Sequence, residues 1–236
     1  MAVSFSISTV KIALYGGSFD PPHRGHVALA RLAIDRLHLD RVLVAPVGLQ
    51  PLKHDAATTS FEDRVAMARL AFARVPHIEV SHLDAPLPDH RPNYTIDTVL
   101  RLRPTLTTGD ELFCLLGADS WLTIGNWYRA SDLVMACGFI VGARPGFDLD
   151  HAAAALPKSI TAIQMPSDKP GSLLLSLCDS SGHQSPLYLL TDLSEDVSAT
   201  AVRAALSHHP VEEVDAVLDP KVASYIHEHN LYSVDM

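Results

Sequence analysis

One stretch near the start of the chain combines glycines and histidines at the point where an apolar strand hands over to a helix. It reads Gly16-Gly17-Ser18-Phe19-Asp20-Pro21-Pro22-His23-Arg24-Gly25-His26. Glycine lets a backbone approach a phosphate closely. A helix starting near Gly25 leaves its first N–H groups without intrahelical partners, and these make a ready anion site. His23 and His26 flank that start, and an imidazole can donate a hydrogen bond to a phosphate oxygen in either charge state. Phosphoryl and nucleotidyl transfer ask mainly for positioning and charge stabilisation, which two imidazoles at a helix N-terminus suit. The loop is neither G-x-G-x-x-G nor G-x-x-x-x-G-K-[ST], so the His-x-Gly-His set carries the information.

The elements that must hold this loop follow from apolar periodicity. Ile12–Tyr15 reads as a buried strand, and Val27, Ala30, Ile34 and Leu37 repeat at spacings of one helix face. Strands are expected at Arg41–Ala45, Ile78–Val80, Leu112–Leu116 and Phe139–Ala143, with helices at Phe61–Arg74 and Ile96–Leu102. Strands alternating with helices imply βαβ units and a parallel sheet, an α/β fold. From Phe147 to Asp192 the pattern is less regular; Leu173–Leu177 and Leu187–Leu190 could pair as a hairpin. Helices return at Ala199–Leu206, Val211–Leu218 and Lys221–His229.

Composition narrows the partners. The net charge of −9 disfavours long nucleic acid, whose binding rests on Lys and Arg, while a local cluster can still hold one nucleotide. Cys114, Cys137 and Cys178 lie far apart, which argues against a disulfide framework or a zinc ribbon and fits a reducing compartment. No signal peptide and no long apolar run are visible, so a cytoplasmic protein with no membrane partner is expected. His227 and His229 are two apart on a helix and face different sides, and no G-x-S-x-G elbow occurs; no protein-held metal is expected.

GGSFDPPHRGH resembles the H-x-G-H loop of nucleotidyltransferases, specifically that of bacterial nicotinate-nucleotide adenylyltransferases. Pantetheine-phosphate adenylyltransferases, cytidylyltransferases and class I aminoacyl-tRNA synthetases share the element. Further matches run in family order: Gln50-Pro51-Leu52-Lys53, which departs from Pro-Pro-His-Lys but keeps the lysine; Asn93-Tyr94-Thr95-Ile96-Asp97-Thr98, with Asn for Ser; Leu116-Gly117-Ala118-Asp119-Ser120; Trp127-Tyr128; Arg144-Pro145-Gly146; Val197-Ser198-Ala199-Thr200-Ala201-Val202-Arg203; and the closing Pro220–Ile226 and Leu231-Tyr232. The resemblance implies one nucleotidyltransferase domain over residues 1–236, with 1–10 a short extension and 147–192 insertion-like. Its fold is a Rossmann-like open, mostly parallel sheet with helices on both faces and a C-terminal helical segment.

The activity implied is transfer of the adenylyl group of ATP to nicotinate mononucleotide. In that reading His23, His26 and Arg203 are catalytic. Gly16, Gly17, Ser18, Phe19, Gly25, Gly117, Asp119, Arg144, Ser198 and Thr200 bind ATP. Lys53, Tyr94, Thr95, Trp127 and Tyr128 bind the nicotinate nucleotide, and Mg²⁺ is carried chiefly by the ATP phosphates. Several residues admit a plainer reading. Ser198 and Thr200 suit an N-cap, Trp127 suits a core, Asp119 a solvated cap, and Lys53 an exposed loop. Trp121, closer to Asp119, competes with Trp127 for the stacking role. Rival activities are transfer to nicotinamide mononucleotide or phosphopantetheine, and a catalytically silent nucleotide sensor.

Overall fold

The apolar run Ile12–Tyr15 lies inside β1 (Lys11–Gly17), flanked by β2 (Arg41–Pro46) and β4 (Glu111–Gly117), both parallel to it. These observations come from a computed structural model, which describes residues 9–51, 59–143, 147–193, 197–206, 214 and 217–232. β3 (Ile78–Val80) extends the sheet beyond β2, and β5 (Gly138–Gly142) lies beyond β4. The β1 side chains divide by parity. Ala13 and Tyr15 enter one core with α1 (Arg24–Leu37), α2 (Phe61–Phe72), α7 (Ala199–Leu206) and α8 (Pro220–Glu228). Ile12 and Leu14 enter the other with α3 (Thr95–Leu102) and α5 (Ala130–Ala136). Helices on both faces of a parallel sheet explain why its central strands read as unbroken apolar runs.

The irregular stretch 147–192 contains α6 (Leu149–Ala154), β6 (Thr161–Met165), β7 (Ser172–Cys178) and β8 (Gln184–Leu190). The expected hairpin forms, with Ser172 opposite Leu190 and Leu175 opposite Leu187. β8 also runs parallel to β5, so this stretch widens the main sheet. The full order is β3-β2-β1-β4-β5-β8-β7-β6, an α/β sheet of Rossmann-like type with only the β6 and β7 pairings antiparallel. Strands β6 and helices α4 (Ala118–Trp121), α5 and α6 go beyond the sequence expectation. The helix expected at Val211–Leu218 falls mostly outside the described residues; Val214 and Leu218 are buried in the α1–α2 core.

From β1 the chain crosses to β2 and β3 in one direction and later to β4 and β5 in the other. That reversal opens a crevice beyond the C-terminal ends of β1 and β4, the place where open α/β sheets bind ligands. Among the described residues no helix is long and apolar enough to cross a membrane.

Candidate active site

The loop after β1 turns on Phe19, whose φ of 49° is left-handed. Its ring explains how that conformation is held. Phe19 is 1% exposed and packs edge-on against Tyr15 and Phe72, at centroid distances of 5.4 and 6.1 Å. Its side chain therefore belongs to the core, and only its backbone can face a nucleotide. A Cβ at Gly17 would sit 3.3 Å from the Phe19 ring, so this turn needs glycine for space.

His23 is the N-cap of α1, and His26 sits one turn further, with the two rings 3.7 Å apart between centroids. The His23 backbone N–H donates to His26 Nδ1 at 3.2 Å. A backbone N–H can only donate, so Nδ1 offers its lone pair and the neutral ring carries its proton on Nε2. Nε2–H is then the donor of the neutral ring. Gly25 lies between them: a Cβ there would sit 3.1 Å from His23 Nδ1 and 3.6 Å from the Val197 carbonyl oxygen. The start of α7 is thus brought against the start of α1. Two helix N-termini converge here, each carrying partial positive charge.

Ser198 Oγ accepts from the Ala201 N–H at 3.1 Å, so it does cap α7. Arg203 donates from Nη1 to the Asp20 carbonyl oxygen at 2.7 Å and from Nη2 to Thr200 Oγ1 at 3.4 Å. His23, His26, Gly25, Ser198, Thr200 and Arg203 form one neighbourhood although residues 20 and 203 lie 183 positions apart.

A cleft of about 360 Å³ adjoins Gly16 and Gly17 and is walled by Asn93, Tyr94, Thr95, Trp127 and Tyr128. Tyr94 and Tyr128 stack at 4.3 Å, and Trp127 is anchored by its indole N–H to Thr123 Oγ1 at 3.1 Å. Thr95 opens α3, and helix geometry leaves the first N–H groups without intrahelical acceptors. Trp121 is 0% exposed, donates to the Ala152 carbonyl oxygen at 2.8 Å and packs on Phe139, so it is a core residue and does not line the cleft. Gly117 caps α4 at the end of β4, and Asp119 lies exposed in its first turn. Lys53 and Arg144 lie outside the described residues.

Four residues in or behind the cleft walls carry no site role in the sequence reading, although Asn93 stands in one of its motifs. Arg64, 2% exposed, donates to the carbonyl oxygens of Ser18 at 2.9 Å and Val47 at 2.7 Å, tying the loops after β1 and β2 together. Burial lowers its pKa, opposed chiefly by the charge of Asp20. Its spacing to Ala68 and Ala71 on α2 is the helical signal that could have revealed it. Asp84, 5% exposed, lines the cleft; burial raises its carboxyl pKa, while the Thr98 hydroxyl and Arg101 act in the opposite direction. Asn93 accepts from the Leu49 N–H at 3.0 Å and donates to the Ala85 carbonyl oxygen at 3.0 Å. Gly48 packs so closely that a Cβ would meet Pro86 N at 2.5 Å and Asn93 Oδ1 at 2.8 Å.

A strand-turn-helix loop of glycines and histidines beside an aromatic cleft at the sheet's reversal point suits a nucleotide-handling α/β protein, and comparison with known proteins agrees. The family model described as "Cytidylyltransferase-like" matches residues 14–205. A probable nicotinate-nucleotide adenylyltransferase of Gloeobacter violaceus is 36% identical over 95% of this chain and 97% of its own length. One from Laribacter hongkongensis is 35% identical, covering 94% of each chain. The solved nicotinic acid mononucleotide adenylyltransferase of Plasmodium falciparum, complexed with NaAD, shares the fold with a TM-score of 0.69, at 19% identity over 94% of this chain and 97% of that one. The chain belongs to the cytidylyltransferase-like family, and within it to the nicotinate-nucleotide adenylyltransferases.

Proposed function

We propose that the chain transfers the adenylyl group of ATP to nicotinate mononucleotide, releasing pyrophosphate and forming deamido-NAD, a step of NAD biosynthesis. The observation that carries the choice of acceptor is the cleft beside Gly16 and Gly17. Its Tyr94, Trp127 and Tyr128 offer aromatic faces, and the N-terminus of α3 at Thr95 offers N–H donors. A flat, anionic nicotinate ring matches both features, since the positive end of a helix favours a carboxylate over a neutral amide.

In this reading the 5′-phosphate oxygen of the acceptor attacks the α-phosphorus of ATP in line. A new P–O bond forms as the bond to the α,β-bridging oxygen breaks, and the electron pair leaves with pyrophosphate. His26 Nε2–H donates to the α-phosphate, where charge builds in the transition state. His23 acts toward the β-phosphate. Arg203, Thr200 and the α7 N-terminus at Ser198 hold the departing pyrophosphate, with backbone from Gly16 to Gly25 lining the path. Gly117 and Asp119, at the end of β4, serve the ribose. Among the described residues no group of three His, Cys, Asp or Glu side chains converges as a metal cage. In this reading ATP arrives as its Mg²⁺ complex, the ion being held by phosphates and water. No covalent intermediate is involved; a trapped adenylyl-enzyme would refute this route.

The test is pyrophosphate release by the purified chain with ATP and Mg²⁺, offered nicotinate mononucleotide, nicotinamide mononucleotide and phosphopantetheine in turn. The acid nucleotide is expected to give the highest kcat/KM. A preference for the amide or for phosphopantetheine refutes the assigned acceptor. ATP binding without turnover on any acceptor identifies a nucleotide sensor instead.

A further inference from the structure

The closing Leu231-Tyr232 pair has no part in the chemistry above, yet the structure directs it at the phosphate loop. After α8 ends at Glu228 the chain does not run on. Leu231 N–H returns to the Ile226 carbonyl oxygen at 3.0 Å, and Asn230 and Tyr232 both adopt left-handed backbone, with φ of 50° and 63°. Asn enters this region readily past a helix end but Tyr does not, so tertiary contacts must hold the backbone at Tyr232. The Tyr232 hydroxyl donates to Asp20 Oδ1 at 2.6 Å. Thr59 donates to the same oxygen at 2.7 Å, and Arg203 to the Asp20 carbonyl oxygen at 2.7 Å. Asp20 itself is 2% exposed.

We infer that Tyr232 is a positioning residue for nucleotidyl transfer: its hydroxyl pins the buried Asp20 carboxylate, which fixes the turn carrying His23 and His26 and keeps Arg203 available to phosphate. Three physical points support this. Burial and the charge of Asp20 raise the Tyr232 pKa, so the hydroxyl remains a donor. Pro21 and Pro22 separate Asp20 from His23, and their rings lock φ, so the orientation of Asp20 passes stiffly to the histidine. A loosened carboxylate beside Arg203 would compete with pyrophosphate for the same guanidinium. The inference rests on the loop being the ATP phosphate site.

The test is Tyr232→Phe in the full-length chain, which removes one oxygen and keeps the ring. Steady-state kinetics at 25 °C, and Tm with and without ATP and Mg²⁺, are the readouts. Loss of a hydrogen bond to a charged group should lower kcat/KM for ATP by about tenfold or more, with the KM of the acceptor unchanged and a smaller ATP-induced rise in Tm. In an Asp20→Ala background, which has no side-chain acceptor, Tyr232→Phe should cause no further loss. A variant that melts earlier but keeps wild-type kcat/KM for ATP shows a merely structural contact and overturns the inference. Full additivity with Asp20→Ala also overturns it. If the wild-type chain turns over no acceptor, the proposed transfer reaction fails as a whole. The ATP-induced Tm rise still decides for Tyr232, and an equal rise in both proteins refutes it.

Discussion

Gly48→Ala tests how closely the two loops that wall the acceptor cleft must approach. No left-handed φ is involved at Gly48, so the requirement is space alone. The added methyl would lie 2.5 Å from Pro86 N, 2.6 Å from Pro86 Cα and 2.8 Å from Asn93 Oδ1. Two of these atoms are backbone and cannot rotate away, so the loops must separate by most of an ångström to restore ordinary contact. Such overpacking costs about 1–3 kcal/mol. At about 2–4 °C per kcal/mol for a chain of this size, Tm should fall by several degrees. The separation also acts on hydrogen bonds: Gly48 N–H donates to the Asp84 carbonyl oxygen at 2.7 Å, and Leu49 and Asn93 bond to each other next door. Asn93 immediately precedes Tyr94 and Thr95, so the displacement reaches the cleft wall. The expected kinetic result is a raised KM for nicotinate mononucleotide with KM for ATP near wild type, measured by pyrophosphate release. Unchanged Tm and unchanged acceptor KM would refute the reasoning, because the methyl would then have found room that the structure denies it. Equal increases in both KM values would refute the separation of the two subsites.

Other perturbations test single residues. His26→Ala removes a donor to the reacting phosphate and should lower kcat by about 10²–10³ while raising KM less; an unchanged kcat removes His26 from the chemistry. Trp127→Ala should raise the acceptor KM by about 5- to 150-fold, the equivalent of about 1–3 kcal/mol of stacking, with KM for ATP unaffected; a matching rise for ATP contradicts the assigned stack. Asp84→Asn keeps an acceptor for the Thr98 hydroxyl. Burial holds the wild-type carboxyl protonated to higher pH in the folded than in the unfolded chain. Its contribution to stability therefore falls as pH rises from the ordinary value of 3.8 through the raised one. Urea midpoints from pH 4 to 7 should show the variant gaining on wild type as pH rises, and the opposite trend would show that Arg101 outweighs burial.

How much was legible in sequence depended on how local the cause was. β1, β2 and β4 are buried on both faces, so their apolar runs announced them. β6 is an edge strand whose Ile163 and Met165 are exposed, and its residues carry no apolar run or alternation to read. α5 starts from Arg129 in left-handed backbone, without the Ser, Thr, Asp or Asn that usually marks a helix start. α6 was missed despite Asp148 accepting from the His151 N–H, a capping signal that was there to be read. Ring periodicity could not separate Trp121 from Trp127; a hydrogen bond to Ala152, 31 residues away, puts the first in the core. Asp84 and Gly48 act through contacts between loops, which spacing along one helix or strand does not encode, and the helical spacing of Arg64 marks its buried face but not the loop carbonyls it reaches. The histidine loop was readable because its glycines, prolines and imidazoles all act within one turn of chain.

The meeting of Arg203 with Asp20, and of the Arg24 N–H with the Val217 carbonyl oxygen at 2.9 Å, has a consequence for biosynthesis. The histidine loop is joined to a residue 183 positions away. During translation the histidine loop precedes most of the sheet, and its cationic partner is added only after all eight described strands. Contacts so distant in sequence form late, since closing a long loop must precede any gain from the contact. A polypeptide that stops before α7 would lack the clamp and would also uncover the core that α7 and α8 share with α1 and α2.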